Sequence, residues 1–320
     1  MKKYLFLIAL WLTFFVPGSA QATAKFLVLC STACTWDNTN DAIWSLSSGG
    51  ANNTTHPVAG DDVTLDAATC VGGTTCTITT GAVTISAATI TWGACTASTT
   101  GCIIKADTNN TNFTLSATNG TNLNGNGSGT RKWIGGSGTY TITQNGPFGN
   151  FFALNTATND QGSTFNSATW VLSGTAGSGS GRGFLGGTFS FGPTTFNANS
   201  GGGTVLMTGA STFASLTING PNTFYFGNGN TQTITGALTL TGSSSSSVVN
   251  LSSNAIDATA TLSLGAASTG TWVALHTIIT SGAAGLTASN CFNLGLNTLA
   301  NGGTCTGPSG GGGGGRIIGG

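Results

Sequence analysis

The sequence predicts an all-β protein, a parallel β-helix of many short strands, and three observations lead to that fold class. Ile, Val and Leu alternate with Thr and Ser over short runs, which is the period-2 pattern of strands with one buried face. Gly and Asn separate these runs, as they do in turns. Charged residues make up only 5% of the chain, glutamate is absent, and no stretch shows a helical period with caps.

The N-terminus has the three parts of a secretory signal peptide. Two lysines precede an apolar stretch, residues 4–16, that is too short to span a bilayer comfortably. Small residues follow and predict cleavage after Ala20, with Ala22 and Ala24 as alternative sites. No later segment approaches the about 20 apolar residues of a membrane helix. We therefore expect a secreted or surface-exposed mature protein without a membrane span.

The mature chain is nearly neutral. Without the two N-terminal lysines it has six basic residues against eight aspartates, a net charge of −2. Arg131 and Lys132 are its only adjacent basic pair. This balance gives no electrostatic surface for nucleic acid, which is therefore not expected as a partner.

The organisation along the chain predicts four regions: a signal peptide at 1–20, an N-terminal cap at 25–66, solenoid repeats at 67–306 and a flexible glycine-rich tail at 307–320. Strands are expected in the repeats at 77–79, 82–86, 89–92, 140–143, 169–172, 216–218, 233–235 and 238–241. A serine run, 243–247, is expected to bulge from one coil as a loop.

Two architectures accommodate such strands, a β-sandwich array and a β-solenoid. Strands of three to five residues at short, uneven spacing favour the parallel β-helix. A degenerate repeat supports it, because 163–167 resembles 211–215, which follows after about two coils of ~24 residues. The phenylalanines of these segments are expected to stack inside the coil, and 195–198 is a looser copy. About ten coils would then form the rod.

Eight cysteines, all in the mature chain, predict disulfides in an oxidising compartment. They fall into four neighbouring pairs: Cys30 and Cys34, Cys70 and Cys76, Cys95 and Cys102, and Cys291 and Cys305. The step from Cys70 to Cys95 nearly equals that from Cys76 to Cys102, so the two middle loops should stack in successive coils. Closure of each loop on itself is favoured over bridges between coils, because turn residues separate the members of each pair.

The stretch Trp36…Trp44…Pro57-Val58-Ala59-Gly60-Asp61-Asp62-Val63-Thr64-Leu65 resembles the opening of many secreted β-helix proteins. Segments 127–131, 213–220 and 235–242 resemble coils of bacterial adhesin-like and phage-associated β-solenoid proteins. The resemblance covers most of the mature chain and implies a right-handed β-helix at the surface of a cell or particle. It transfers no catalytic residues. The residues assigned to the cap are Trp36, Trp44, Pro57, Gly60, Asp61 and Asp62.

Chemistry-bearing residues are sparse. Asp61 and Asp62 are the only adjacent acids, and neighbouring side chains on a strand point to opposite faces. In a turn they would instead cap the chain or accept hydrogen bonds from its backbone. The other candidate acids, Asp66, Asp107, Asp160 and Asp257, are widely spaced, and no nucleophile elbow, phosphate loop or zinc motif is present. We predict no catalytic, cofactor-binding or metal site.

The expected function is that of a non-enzymatic structural or adhesive protein that binds a glycan or another cell-surface component. A polysaccharide-degrading β-helix enzyme is the first alternative, and converging aspartates would favour it. An ice-binding solenoid is the second alternative, suggested by Thr-x-Thr triplets that begin at 77, 89, 141, 233, 239 and 259. Their spacing is irregular, and we expect no single face of the solenoid to repeat them in every coil.

Overall fold

The computed structural model describes residues 22–308 apart from 29, 31–32, 67–68, 70–75, 93–101, 118–120, 126–130, 146–149, 154–162, 175–180, 186–187, 199–203 and 256. The predicted signal peptide and most of the predicted tail therefore lie outside the described residues. In the described part, the only helical element is a single 3₁₀ turn, Asp41–Ile43, and β-strands form the rest of the regular structure.

The strands are short, and most alternate buried and partly exposed residues. In chain order they are β1 Ala24–Leu27, β2 Ala33–Trp36, β3 Trp44–Ser45, β4 Asp62–Leu65, β5 Cys76–Thr80, β6 Ile85–Ala87, β7 Thr89–Trp92, β8 Cys102–Lys105, β9 Phe113–Ala117, β10 Leu123–Gly125, β11 Arg131–Ile134, β12 Thr139–Gln144, β13 Phe152–Ala153, β14 Thr169–Gly174, β15 Gly181–Leu185, β16 Ser190–Phe196, β17 Thr204–Thr208, β18 Thr212–Asn219, β19 Asn222–Phe226, β20 Thr231–Ile234, β21 Leu238–Thr241, β22 Val249–Ser253, β23 Ala260–Leu264, β24 Ser268–His276, β25 Ile278–Gly282, β26 Leu286–Asn293 and β27 Thr304–Thr306.

The strands stack in three parallel columns, and the chain visits the columns in the same order in each full coil. Column 1 contains β1, β4, β7, β10, β13, β15, β17, β19, β22 and the second halves of β24 and β26. Column 2 contains β6, β9, β12, β14, the second halves of β16 and β18, β21, the first halves of β24 and β26, and β27. Column 3 contains β2, β5, β8, β11, the first halves of β16 and β18, β20, β23 and β25.

The fold is the predicted parallel β-helix, and the sandwich alternative is wrong because sandwich strands pair antiparallel. The number of residues per coil varies more than a fixed repeat would allow. In column 1 the register pairs Ile90 with Leu123, so this coil is long. Near the C-terminal end the register pairs Val273 with Cys291, so that coil is much shorter. The right hand of the helix stays a prediction.

The predicted strands form with two differences. The run at 82–86 becomes a strand only from Ile85, because 82–84 make the turn into column 2 and Val83 is exposed there. The segment 233–235 ends as a strand at Ile234. The serine run forms a loop between β21 and β22, as predicted, closed by a bridge between Ser244 and Ser247.

The interior is filled by ladders of like side chains. Phe165, Phe191 and Phe213 lie beside one another in successive coils and stack with ring centroids 5.8 and 5.4 Å apart. The predicted stacking of the phenylalanines in the two repeat segments is confirmed, with Phe191 as the rung between them. Phe196, in the looser copy, belongs to a different ladder, since it lies in column 2 beside Ile218.

The N-terminal end is covered by the segment that was predicted as a cap. β3 pairs antiparallel with β1 and so occupies the open edge of column 1, which would otherwise offer unpaired backbone groups. Trp44 in β3 packs edge-on against Trp36, with ring centroids 5.5 Å apart and both rings fully buried. Lys25 is also buried and donates from Nζ to the Thr54 hydroxyl at 2.5 Å, which holds the following loop over the first coil.

Two of the four expected cysteine pairs are disulfide-bonded in the described part of the chain. Cys30 bonds to Cys34 in the first coil, and Cys291 bonds to Cys305 in the last. Cys76 lies beside Cys102 in register, so the C-terminal ends of the two middle loops lie in successive coils. Their partners Cys70 and Cys95 lie outside the described residues, and the pairing of these loops stays a prediction.

Candidate functional site

The adjacent aspartates of the cap accept hydrogen bonds, Asp61 from the local backbone and Asp62 from the next coil. Asp61 is buried and accepts a hydrogen bond from the Val58 N–H, while its own N–H donates to the Val58 carbonyl. This reciprocal pair closes the turn, in which Gly60 has a φ of 97° that favours glycine. Asp62 faces outward and accepts from the Thr89 hydroxyl of the next coil at 2.7 Å. The two carboxylates therefore stabilise the turn before β4 and its contact with the next coil, and they do not share a site.

A second group of polar residues follows the first coil. The Asp41 carboxylate lies 2.7 Å from His56 Nδ1 and also accepts from the His56 backbone N–H, and these hydrogen bonds hold the pKa of Asp41 below its usual value. Partial burial acts to raise the pKa of Asp37, but hydrogen bonds from Thr39 and Asn40 outweigh it and leave that pKa lowered. Asp37 thus orders the residues that lead into the 3₁₀ turn, and Asp41, the first residue of that turn, ties it to His56.

The remaining described charges are dispersed. Lys105 pairs with Asp107 at 2.9 Å on the outside of column 3, several coils from the exposed Asp257. Within the described ranges, no three side chains of the His, Cys, Asp and Glu types gather closely enough to bind a metal ion. Asp160 lies outside those ranges. No helix found in the described part of the chain has the length and apolar character needed to cross a membrane.

In the described part of the chain, the outer side of column 2 forms a regular surface. Strand after strand, one outward position there carries a hydroxyl residue, and the backbone register aligns these positions into a single file. In order along the rod the file contains Ser86, Thr114, Thr141, Val171, Thr195, Thr217, Thr239, Thr269, Thr287 and Thr304. Val171 is its one residue without a hydroxyl.

A second file runs beside the first, two residues further along each strand. It contains Ser116, Thr143 and Ser173 in the earlier coils and Asn219, Thr241, Thr271, Ser289 and Thr306 in the later ones. We call the two files together the threonine face. Neighbours within it approach closely, as the hydroxyls of Thr143 and Ser173 do at 3.2 Å.

The dimensions of the threonine face follow from the geometry of parallel sheets. Strands stack about 4.8 Å apart, and alternate residues on a strand lie about 6.6 Å apart, so ten coils give a surface about 43 Å long. No position in either file carries a charge. The inward neighbours of the file residues, such as Leu216, Leu238 and Leu240, are buried and fix the orientation of the outward ones. The result is a long, uncharged lattice of hydroxyl and methyl groups.

As expected, no single face repeats the Thr-x-Thr triplet in every coil, but a looser pattern of outward Thr, Ser and Asn residues does align on column 2. The strict triplets at 77, 233 and 259 lie in or beside column 3, and the one at 89 lies in column 1. Those at 141 and 239 belong to the threonine face, which also contains the triplets at 269–271 and 304–306 and several strands where Ser or Asn replaces one threonine. Uneven coil lengths hide this alignment in the sequence, since only the hydrogen-bond register shows which residues are neighbours.

No protein-family model matches the chain, and no curated protein or solved structure shows a significant match to it.

Proposed function

We propose that the protein is an exported, non-enzymatic binding protein that attaches through its threonine face to the surface of an extended glycan. The alignment of the two files over successive coils carries this proposal. An ordered polysaccharide presents hydroxyl groups at regular intervals and C–H groups between them. Threonine hydroxyls can donate to and accept from the former, and threonine methyl groups can pack against the latter.

Export is part of the proposal and is supported by the signal-like N-terminus and by the two disulfides, which persist in oxidising compartments. N-terminal sequencing of the secreted protein should begin at Gln21. A first residue of Met1 on a protein retained in the cytoplasm would contradict it.

The binding experiment uses the purified chain from Gln21 with microcrystalline cellulose, α-chitin and insoluble β-1,3-glucan. We expect depletion of the protein from solution by at least one of these, with the length of the glycan unchanged afterwards. Shortened glycan chains would instead support the polysaccharide-degrading alternative.

A matched pair of variants tests whether the threonine face carries the binding. The double substitution Thr239→Lys and Thr269→Lys places two long charged side chains in the first file, where they would hold a flat ligand away. The control, Thr231→Lys and Thr261→Lys, makes the same change in the same coils on column 3. We expect about tenfold weaker binding for the first double variant and little change for the control. Equal losses would contradict the assignment of the face.

Ice is the second candidate ligand, and one specific observation favours it. The threonine face is uncharged and two-dimensionally periodic, and the oxygen atoms on a face of hexagonal ice form a two-dimensional lattice of comparable spacing. The same proteins would be compared for inhibition of ice recrystallisation and for freezing-point hysteresis. Activity that the Thr239/Thr269 variant loses and the control keeps, without binding to any glycan, would replace the first proposal by the second.

A further inference from the structure

Trp272 differs from the other tryptophans of the described chain. Trp36, Trp44, Trp92, Trp133 and Trp170 are all fully buried in the core. Trp272 is partly exposed and lies between the two halves of β24, at the corner where the chain turns from column 2 to column 1. Part of Trp272 is therefore open to solvent, unlike the other described tryptophans.

The backbone at this corner makes the choice of tryptophan more unusual. Trp272 has a φ of 50°, in the left-handed region that bulky residues rarely adopt. The corresponding corner of the next coil is occupied by Asn290, with a φ of 48°, and asparagine tolerates this conformation well. A large aromatic ring kept at a position where a small polar residue is easier to accommodate indicates that the ring itself is used.

A second aromatic ring and the start of the serine loop lie close to Trp272. Phe292, in the next coil, is partly exposed and has its ring centroid 6.3 Å from that of Trp272 at an interplanar angle of 35°. Gly242, the residue before the serine loop 243–247, packs against Trp272. A Cβ built on Gly242, at the start of that loop, would lie only 2.7 Å from the Trp272 Cβ and 2.6 Å from the Ser247 carbonyl oxygen. The Trp272 ring therefore lies beside a second aromatic ring, and the start of the serine loop packs closely against the backbone and Cβ of the same residue.

The scarcity of charged residues in this part of the sequence favours a neutral ligand. Between Gly183 and Gly315 the sequence contains no lysine or arginine, and Asp257 is its only acidic residue. A phosphate-bearing ligand would lack a cation here. Neutral molecules with one apolar C–H face and several hydroxyl groups suit a partly exposed indole with a serine loop nearby.

We propose that Trp272, Phe292 and the serine loop form a binding subsite for one or two neutral sugar rings at the corner that borders the second file of the threonine face. The sugar ring stacks its C–H face on the indole, and its hydroxyls pair with the loop. The subsite shares with the proposed function only the ligand class, and it lies at a corner of the solenoid rather than on a flat side.

The test uses the chain from Gln21 and the soluble hexasaccharides of cellulose, chitin, amylose and mannan. Among the described tryptophans only Trp272 is open to iodide, so it should account for most of the quenchable fluorescence. We expect at least one hexasaccharide to bind and to reduce iodide quenching at least twofold. Trp272→Asn, which suits the left-handed backbone, should abolish both quenching and binding at an unchanged thermal midpoint. Trp272→Phe should bind several-fold more weakly.

Three results would overturn the subsite: no hexasaccharide protects the fluorescence, Trp272→Asn binds like the parent chain, or loss of binding occurs only together with a lowered thermal midpoint, which would make the ring structural. Depletion on insoluble glycans separates this outcome from failure of the threonine face. Trp272→Asn should leave that depletion intact, and Thr239→Lys with Thr269→Lys should leave hexasaccharide binding intact.

Discussion

The indole N–H of Trp133 donates a hydrogen bond to the hydroxyl of Tyr140 at 2.8 Å inside the solenoid. Both side chains are buried, and they belong to consecutive strands of one coil, β11 and β12. The Tyr140 ring also stacks between those of Phe113 and Trp170 from the coils on either side, with centroids 4.9 and 4.7 Å away. The hydrogen bond joins columns 3 and 2 within a coil, and the stacking joins successive coils.

Replacement of Tyr140 by Phe should destabilise the protein by about 1–3 kcal/mol. The ring stacking is retained, but the Trp133 N–H is left buried without its acceptor, which costs the desolvation of that group. Urea unfolding followed by tryptophan fluorescence measures the loss. Tyr225→Phe removes a hydroxyl from an exposed ring and serves as the control, with a change within about 0.5 kcal/mol. Equal effects of the two substitutions would contradict the role assigned to the Trp133–Tyr140 bond.

Alkaline pH should destabilise the fold through the same side chain. Burial raises the pKa of Tyr140 well above its usual value, although the hydrogen bond from Trp133 acts in the opposite direction. Since the unfolded chain releases this proton near pH 10 and the folded chain retains it, stability is complete below pH 10 and declines above it. Thermal midpoints between pH 8 and pH 11.5 should show this decline, and Tyr140→Phe should make it shallower. An identical decline in the variant would assign alkaline unfolding to other groups.

Acid should weaken the N-terminal cap. The pKa values of Asp37 and Asp41 are lowered in the folded protein, so the stabilisation they provide is present above about pH 3.8 and is lost as the pH falls through their folded values. Hydrogen exchange of β1 and β2 between pH 2.5 and pH 5 should show opening of the first coil on the acid side. Asp37→Asn and Asp41→Asn should reduce this pH dependence. Thr39→Ala, which removes one donor to Asp37, should reduce it in part.

The sequence predicts which side chains of a strand are buried better than it predicts which outward side chains align on the surface. The alternation in β12, β14 and β21 identifies buried and outward residues directly, because a strand has a fixed period of two. The spacing from Phe165 to Phe213 equals two coils, although the coil from Phe165 to Phe191 is longer than the one from Phe191 to Phe213. The two unequal coils add up to the expected length of two average coils, so the stacking prediction for Phe165 and Phe213 succeeded.

The threonine face was missed for the same reason. The chain takes a long coil to pass from Thr239 to Thr269 in the file, and a much shorter one to pass from Thr269 to Thr287. The differences are taken up in loops such as the serine loop, which project from corners without disturbing the register. A fixed period cannot align such residues. The left-handed backbone at Trp272 could not be predicted from the sequence either. It results from a bend within β24, and no local sequence pattern indicates that bend.

Removal of the Cys291–Cys305 disulfide should destabilise the last coil. The bridge joins cysteines with a sequence separation of 14 and ties β27 to β26, and closing a loop of that size contributes about 3 kcal/mol. Cys291→Ser with Cys305→Ser should therefore speed hydrogen exchange in β26 and β27 while the central coils stay protected. The shorter Cys30–Cys34 loop, with a separation of four, should contribute about 2 kcal/mol and affect only the first coil. Loss of protection across the whole solenoid from the first double variant would contradict a local role.

Two adjacent residues of β21 should separate stability from binding. Leu240 is buried between Ile218 and Gly270, and Leu240→Ala should cost about 2–5 kcal/mol through lost burial and the cavity left behind. Thr239 faces outward in the first file, so Thr239→Ala should change the free energy of unfolding by no more than about 0.5 kcal/mol. Binding to insoluble glycan should respond in the opposite order under conditions where both variants are folded, with Thr239→Ala weakened and Leu240→Ala close to the parent chain. If Thr239→Ala binds as the parent does, the hydroxyl of the file does not contribute, and the threonine face would act through its shape alone.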